Sequence, residues 1–111
     1  MLAQRYLRTV TVKRPRPGYG GNAFEATGHT LQAVVQPMSG ELSARAYGLE
    51  PSQMRRMLCQ LPAEIQAGDG VCAEVAAEAD PDFRVVYVAA WTRHMDIHLR
   101  FIPPAQRGAA E

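Results

Sequence analysis

His94, Asp96 and His98 recur at every second position near the end of the chain. On an extended strand such residues project from one face, and two imidazoles with a carboxylate make a metal-binding set. Arg100 continues the row. A guanidinium two residues along repels a divalent ion, so the row reads as a solvated polar face and no metal is expected. Asp80 and Asp82 flank Pro81. Paired carboxylates can serve acid–base chemistry, but Asp beside Pro bonds the local backbone, and turn formation is the expected role. Gly18, Gly20 and Gly21 are spaced like part of a phosphate-binding loop. Such a loop needs a helix after it and a Lys-Ser or Lys-Thr pair, and neither follows here. His29, Cys59 and Cys72 have no spacing that assembles a nucleophile with its base. The chain is therefore expected not to be an enzyme and to carry no cofactor.

Two basic clusters stand out: Lys13, Arg14 and Arg16, then Arg55 with Arg56. Both read as exposed faces able to touch DNA phosphates or an acidic partner. A net charge of +1 argues against binding nucleic acid through a broad basic field. Two cysteines without a CxxC pair read as free thiols of a protein made in a reducing cytoplasm; a Cys59–Cys72 bridge across adjacent strands is the alternative. No apolar run approaches the ~20 residues that span a bilayer. No apolar stretch follows Arg5 and Arg8, so no signal peptide is expected.

The elements that must hold these side chains are mostly strands. Residues 6–13 contain Thr9, Val10, Thr11 and Val12, a β-branched run that suits a first strand. Residues 14–23 carry Pro15, Pro17, Gly18, Gly20 and Gly21, which break ladders and helices and predict an exposed loop. Residues 24–36 place Leu31, Ala33 and Val35 on one face and Thr30, Gln32 and Gln36 on the other, a long second strand bent near Gly28. Residues 41–49 suit two helical turns, with Ser39 as N-cap, Glu41 near the positive end and Gly48 at the C-terminus.

Pro51 and Pro62 bracket a third strand over 53–61. The turn Ala67-Gly68-Asp69-Gly70 leads into a strand over 71–75, and Asp80-Pro81-Asp82 into one over 83–91. Thr92-Arg93-His94 leads into the last, 95–102, where Met95, Ile97, Leu99 and Phe101 alternate with the polar row. Pro103-Pro104 stops the sheet, and 103–111 reads as a frayed tail. The expected fold is all-β: a small antiparallel β-barrel or sandwich of about six strands, with one short helix in the loop after strand two. Residues 1–102 form its single domain. Val10, Val12, Leu31, Val35, Val71, Val85, Tyr87, Ile97, Leu99 and Phe101 are its expected core, and Trp91 joins Tyr87 as a core aromatic with the further option of anchoring a subunit interface.

The order of these pieces resembles the head–tail joining proteins of tailed phages, also called head-closure or stopper proteins. Four segments carry the resemblance. One is the Gly-rich loop Pro17-Gly18-Tyr19-Gly20-Gly21-Asn22 after a short first strand. Another is the passage from Leu31-Gln32-Ala33-Val34-Val35 through Gln36-Pro37-Met38-Ser39 to Glu41. The third is Ile65-Gln66-Ala67-Gly68-Asp69-Gly70-Val71, and the fourth is 80–88 with Trp91. Together they span roughly 6–102.

The resemblance implies a structural connector that forms a ring between the portal or adaptor and the tail and closes the DNA channel. It implies a virion location at the head–tail interface after synthesis in the bacterial host cytoplasm. The implied partners are the portal or adaptor protein, a tail-completion protein and further copies of the chain, with non-specific contact to packaged DNA and no membrane. The family's channel-facing loop falls on 39–52, with Ser39, Glu41, Arg45, Tyr47, Leu49 and Glu50 as docking residues. This stretch is more helix-like and less Gly-rich than a flexible plug. A second docking loop offers Arg14, Arg16, Tyr19, Asn22 and Phe24. Both loops are long for so small a domain and are expected to become ordered on docking. A different class of function is a small barrel that binds single-stranded nucleic acid or peptide through exposed aromatics and basic loops. An aromatic content of 7%, most of it needed for the core, weighs against that class.

Overall fold

A computed structural model describes residues 7–38, 53–60 and 63–108. Six strands close into one antiparallel barrel: β1 (Arg8–Lys13), β2 (His29–Pro37), β3 (Met54–Gln60), β4 (Gly70–Cys72), β5 (Phe83–Ala90) and β6 (His94–Phe101). Around the wall the order is β1-β2-β3-β6-β5-β4, with β4 returning to β1. Closure leaves no free sheet edge, which such short strands need. Among the described residues no helix is long and apolar enough to cross a membrane.

Alternation sends every second side chain inward. Val10 and Val12, Ala33, Met57 and Cys59, Val71, Phe83 and Val85, and Met95, Ile97 and Leu99 fill the interior. Leu31, Val35 and Phe101 pack against this core while staying partly exposed. Met57 and Ile97 face each other across β3 and β6, and Val85 faces Leu99 across β5 and β6.

Several expected boundaries move, each for a local reason. The second strand begins at His29 rather than at 24. Gly28 crosses β1 so closely that a Cβ there would run into the Val12 carbonyl. Phe24 makes only an isolated bridge with Pro15, so 24–28 is loop rather than the start of a bent strand. The fourth strand ends at Cys72 rather than 75. Asp82 takes the chain off the ladder there: its carboxylate accepts the backbone N–H groups of Ala73 and Glu74 at 2.9 and 3.0 Å. Asp82 thus serves a turn, yet a turn eight and nine residues upstream of it.

The segment after β4 folds over the outer face of β1 and buries Lys13, whose ammonium donates to the Ala79 carbonyl at 2.7 Å. Lys13 is only 2% exposed and is therefore not part of a solvated basic cluster. Beyond β6 the chain forms a 3-10 turn, Pro104–Gln106, instead of fraying at Pro103. Arg107 ties that turn back, donating from Nε to the Ile102 carbonyl at 2.8 Å and lying over the Phe101 ring. The helix expected over 41–49 lies outside the described residues.

Cys59 and Cys72 are buried free thiols on β3 and β4, which are not neighbours in the barrel, so they do not form the adjacent-strand bridge. Burial pushes the Cys59 thiol up to about 11 and raises that of Cys72 as well.

Candidate functional site

The two longest intervals between strands are those after β1 and after β2. The first runs into β2 at His29 and the second leaves it at Pro37, strand ends about 26 Å apart for nine extended residues. These intervals coincide with the two segments expected to dock partners. The second, with Ser39, Glu41, Arg45, Tyr47, Leu49 and Glu50, lies outside the described residues.

The first interval is a structured loop. Gly18, Gly20 and Gly21 all take positive φ, the left-handed region that glycine enters without a Cβ penalty. Backbone bonds close the loop on itself: Arg16 N–H donates to the Ala23 carbonyl at 3.0 Å, and Glu25 N–H to the Arg14 carbonyl at 2.8 Å. The five expected docking residues divide within it. Phe24 is buried and sits beneath the Arg84 guanidinium, and its ring would clash with any Cβ at Gly70. Arg14 points back to the barrel and grips both oxygens of buried Asp69 at 2.9 and 2.7 Å. Asn22 donates to the Gln106 carbonyl at 3.1 Å. Arg16 and Tyr19 remain exposed, and the guanidinium lies 4.1 Å from the ring centroid. The loop therefore offers an Arg–Tyr pair outward and commits its other three side chains to the fold.

The second basic cluster is likewise paired. Arg55 lies 3.5 Å from Glu74. Arg56 on β3 reaches Asp96 on β6 with two bonds, Nε to Oδ1 at 2.9 Å and Nη2 to Oδ2 at 2.7 Å. This fork holds the Asp96 carboxyl below the usual carboxylate range.

The row His94, Asp96, His98 does share a face, but that face is not solvated as expected. Asp96 and His98 are each 8% exposed. Asp96 spends both oxygens on Arg56, with His98 Nε2 3.8 Å away. Among the described residues no group of three or more His, Cys, Asp or Glu is placed to hold a metal ion.

What covers His98 is Tyr87, and here the core expectation is corrected. The β5–β6 register shifts between Val85 and Tyr87, so Val85 opposes inward Leu99 while Tyr87 opposes outward His98. The extra residue turns Tyr87 out of the core, to 45% exposure, and returns Val88 to it. Trp91, at the tip of the same hairpin, is also out, at 57% exposure. Tyr87, Trp91 and the Arg16–Tyr19 pair are thus the aromatic surface of the described residues. Nothing in the residue types around 85–87 marks the bulge; strict alternation from Val85 puts Tyr87 inside. No family model, curated protein or solved structure matches this chain.

Proposed function

We propose that the chain is a structural connector of a tailed-phage, prophage or gene-transfer particle. It stands as a ring between the portal or adaptor and the tail, and it closes the DNA channel. The feature that supports this proposal is a closed barrel whose β2 is entered from one long interval at His29 and left for another at Pro37, two end points about 26 Å apart along the strand. A connector needs two docking elements held apart by a rigid body, one for the partner above and one for the partner below. The barrel supplies the rigid body. The order of the four resembling segments supports the family reading. Exposed Tyr19, Tyr87 and Trp91 supply contact area of the kind enriched where subunits meet.

The exposed aromatics also favour a second function, a barrel that stacks single-stranded nucleic acid or an extended peptide on Tyr87 and Trp91. Electron microscopy of the concentrated protein, alone and mixed with a portal assembly from the same genome, separates the two. A connector gives rings seated on the portal. A binding module stays as single particles and leaves the portal bare.

A further inference from the structure

The outer face of the β5–β6 hairpin contains a cleft of about 470 Å³. Arg84 and Arg100 line it together with Asn22, Gln106, Val86 and Phe101. The two arginines are directly opposite each other in the β5–β6 register. Like charges at that position destabilise a ladder unless something compensates them.

Three other arginines meet acids: Arg14 with Asp69, Arg55 with Glu74, Arg56 with Asp96. Among the described residues no carboxylate pairs with Arg84 or Arg100. Arg84 donates to the Gly21 carbonyl and covers the Phe24 ring, and its buried Nε has no acceptor. Arg100 is exposed at the cleft. Two uncompensated guanidiniums, two side-chain amides and an apolar wall thus share one concave site.

We infer that this cleft is a binding site for a carboxylate side chain of an acidic peptide segment, held between Arg84 and Arg100 with its aliphatic stem against Val86 and Phe101. The exposed Arg100 fork matches the two oxygens of a carboxylate, and Arg84, whose Nη2 is held by the Gly21 carbonyl and whose Nε is buried, adds a second positive charge beside it. The apolar wall favours a single anion on a hydrocarbon stem over a polyanionic backbone. The net charge of +1 gives no extended cationic track for nucleic acid. Asn22 and Gln106, already joined by a hydrogen bond, bring the first loop and the C-terminal turn to the same rim, so occupancy also tightens those two segments. The inference rests on the cleft alone and does not depend on the connector proposal.

The test is a titration of the full chain, followed by backbone amide NMR, with three probes: a capped Leu-Glu-Val peptide, inorganic phosphate and an oligothymidylate. The expected result is saturable shifts at Asn22, Arg84, Arg100 and Gln106 with the peptide. Arg100→Gln, at an exposed position, should keep the fold and weaken the peptide about tenfold or more, as loss of a charge-assisted bond does. Arg16→Gln, outside the cleft, should leave affinity unchanged. No saturable shift with the peptide, an Arg100→Gln variant that binds it as well as the parent, or binding of phosphate or oligothymidylate in preference to the peptide would each overturn the assignment.

Discussion

Tyr87 lies across the β5–β6 ladder from His98, with ring centroids 4.6 Å apart and planes tilted by 34°. The contact exists because one bulged residue turns Tyr87 outward. It covers an imidazole that would otherwise be wet. Burial outweighs the attraction of Asp96 and holds the His98 pKa below its ordinary value.

A pH dependence follows from that pair. The unfolded chain takes up the His98 proton near the ordinary value of about 6.5, and the folded chain resists it. This part of the stability is complete above about 6.5 and is lost as pH falls through that value toward the lower folded one. Asp96 adds a second loss further down, because Arg56 holds its pKa below the unfolded value of about 3.9. Urea denaturation between pH 8 and 3 should show both steps. His98→Phe keeps a ring against Tyr87 and should shrink the upper step while sparing the lower.

Leu99 is fully buried opposite Val85. Leu99→Ala should cost about 2–5 kcal/mol, as truncation of a buried leucine does. Thermal or chemical denaturation measures it, and an unchanged midpoint would contradict the placement of β6.

Asp69 is fully buried, and its carboxylate accepts two contacts from Arg14 and the backbone N–H of Gln66. Asp69→Ala removes the acceptor for all of these and should cost about 1–3 kcal/mol. Gly28→Ala should also destabilise, because its Cβ meets the Val12 carbonyl, which cannot move without opening β1. Both variants are read by the same denaturation curves.

Cys59 and Cys72 are buried, and both thiols are held above their ordinary pKa by burial. Neither should react with a thiol reagent in the native protein at neutral pH, and both should react once the chain is unfolded. Rapid native labelling would place one of them at the surface.

The strands were legible wherever alternation was regular. Met95, Ile97 and Leu99 declared β6, and the Gly68-Asp69-Gly70 and Asp80-Pro81-Asp82 turns punctuated the hairpins. What could not be read was which polar groups the barrel would bury. Lys13 looks like a surface cation until the 73–82 segment folds over it. Arg14 and Arg56 look free until distant acids reach them, Asp69 in the turn before β4 and Asp96 on β6. Tyr87 required the bulge, a register property of two paired strands that neither strand encodes alone. The loop composition did not separate exposed Arg16 and Tyr19 from Arg14, Asn22 and Phe24, which the fold takes up, and the Arg84–Arg100 juxtaposition needed the β5–β6 register.

The connector assignment is tested most directly in particles produced without this chain. A null allele should yield packaged heads that leak DNA and carry no tails. The wild-type gene should restore both functions, and a version lacking 41–49 should restore neither while still producing folded protein. Null particles that retain their DNA and join tails normally would contradict the account.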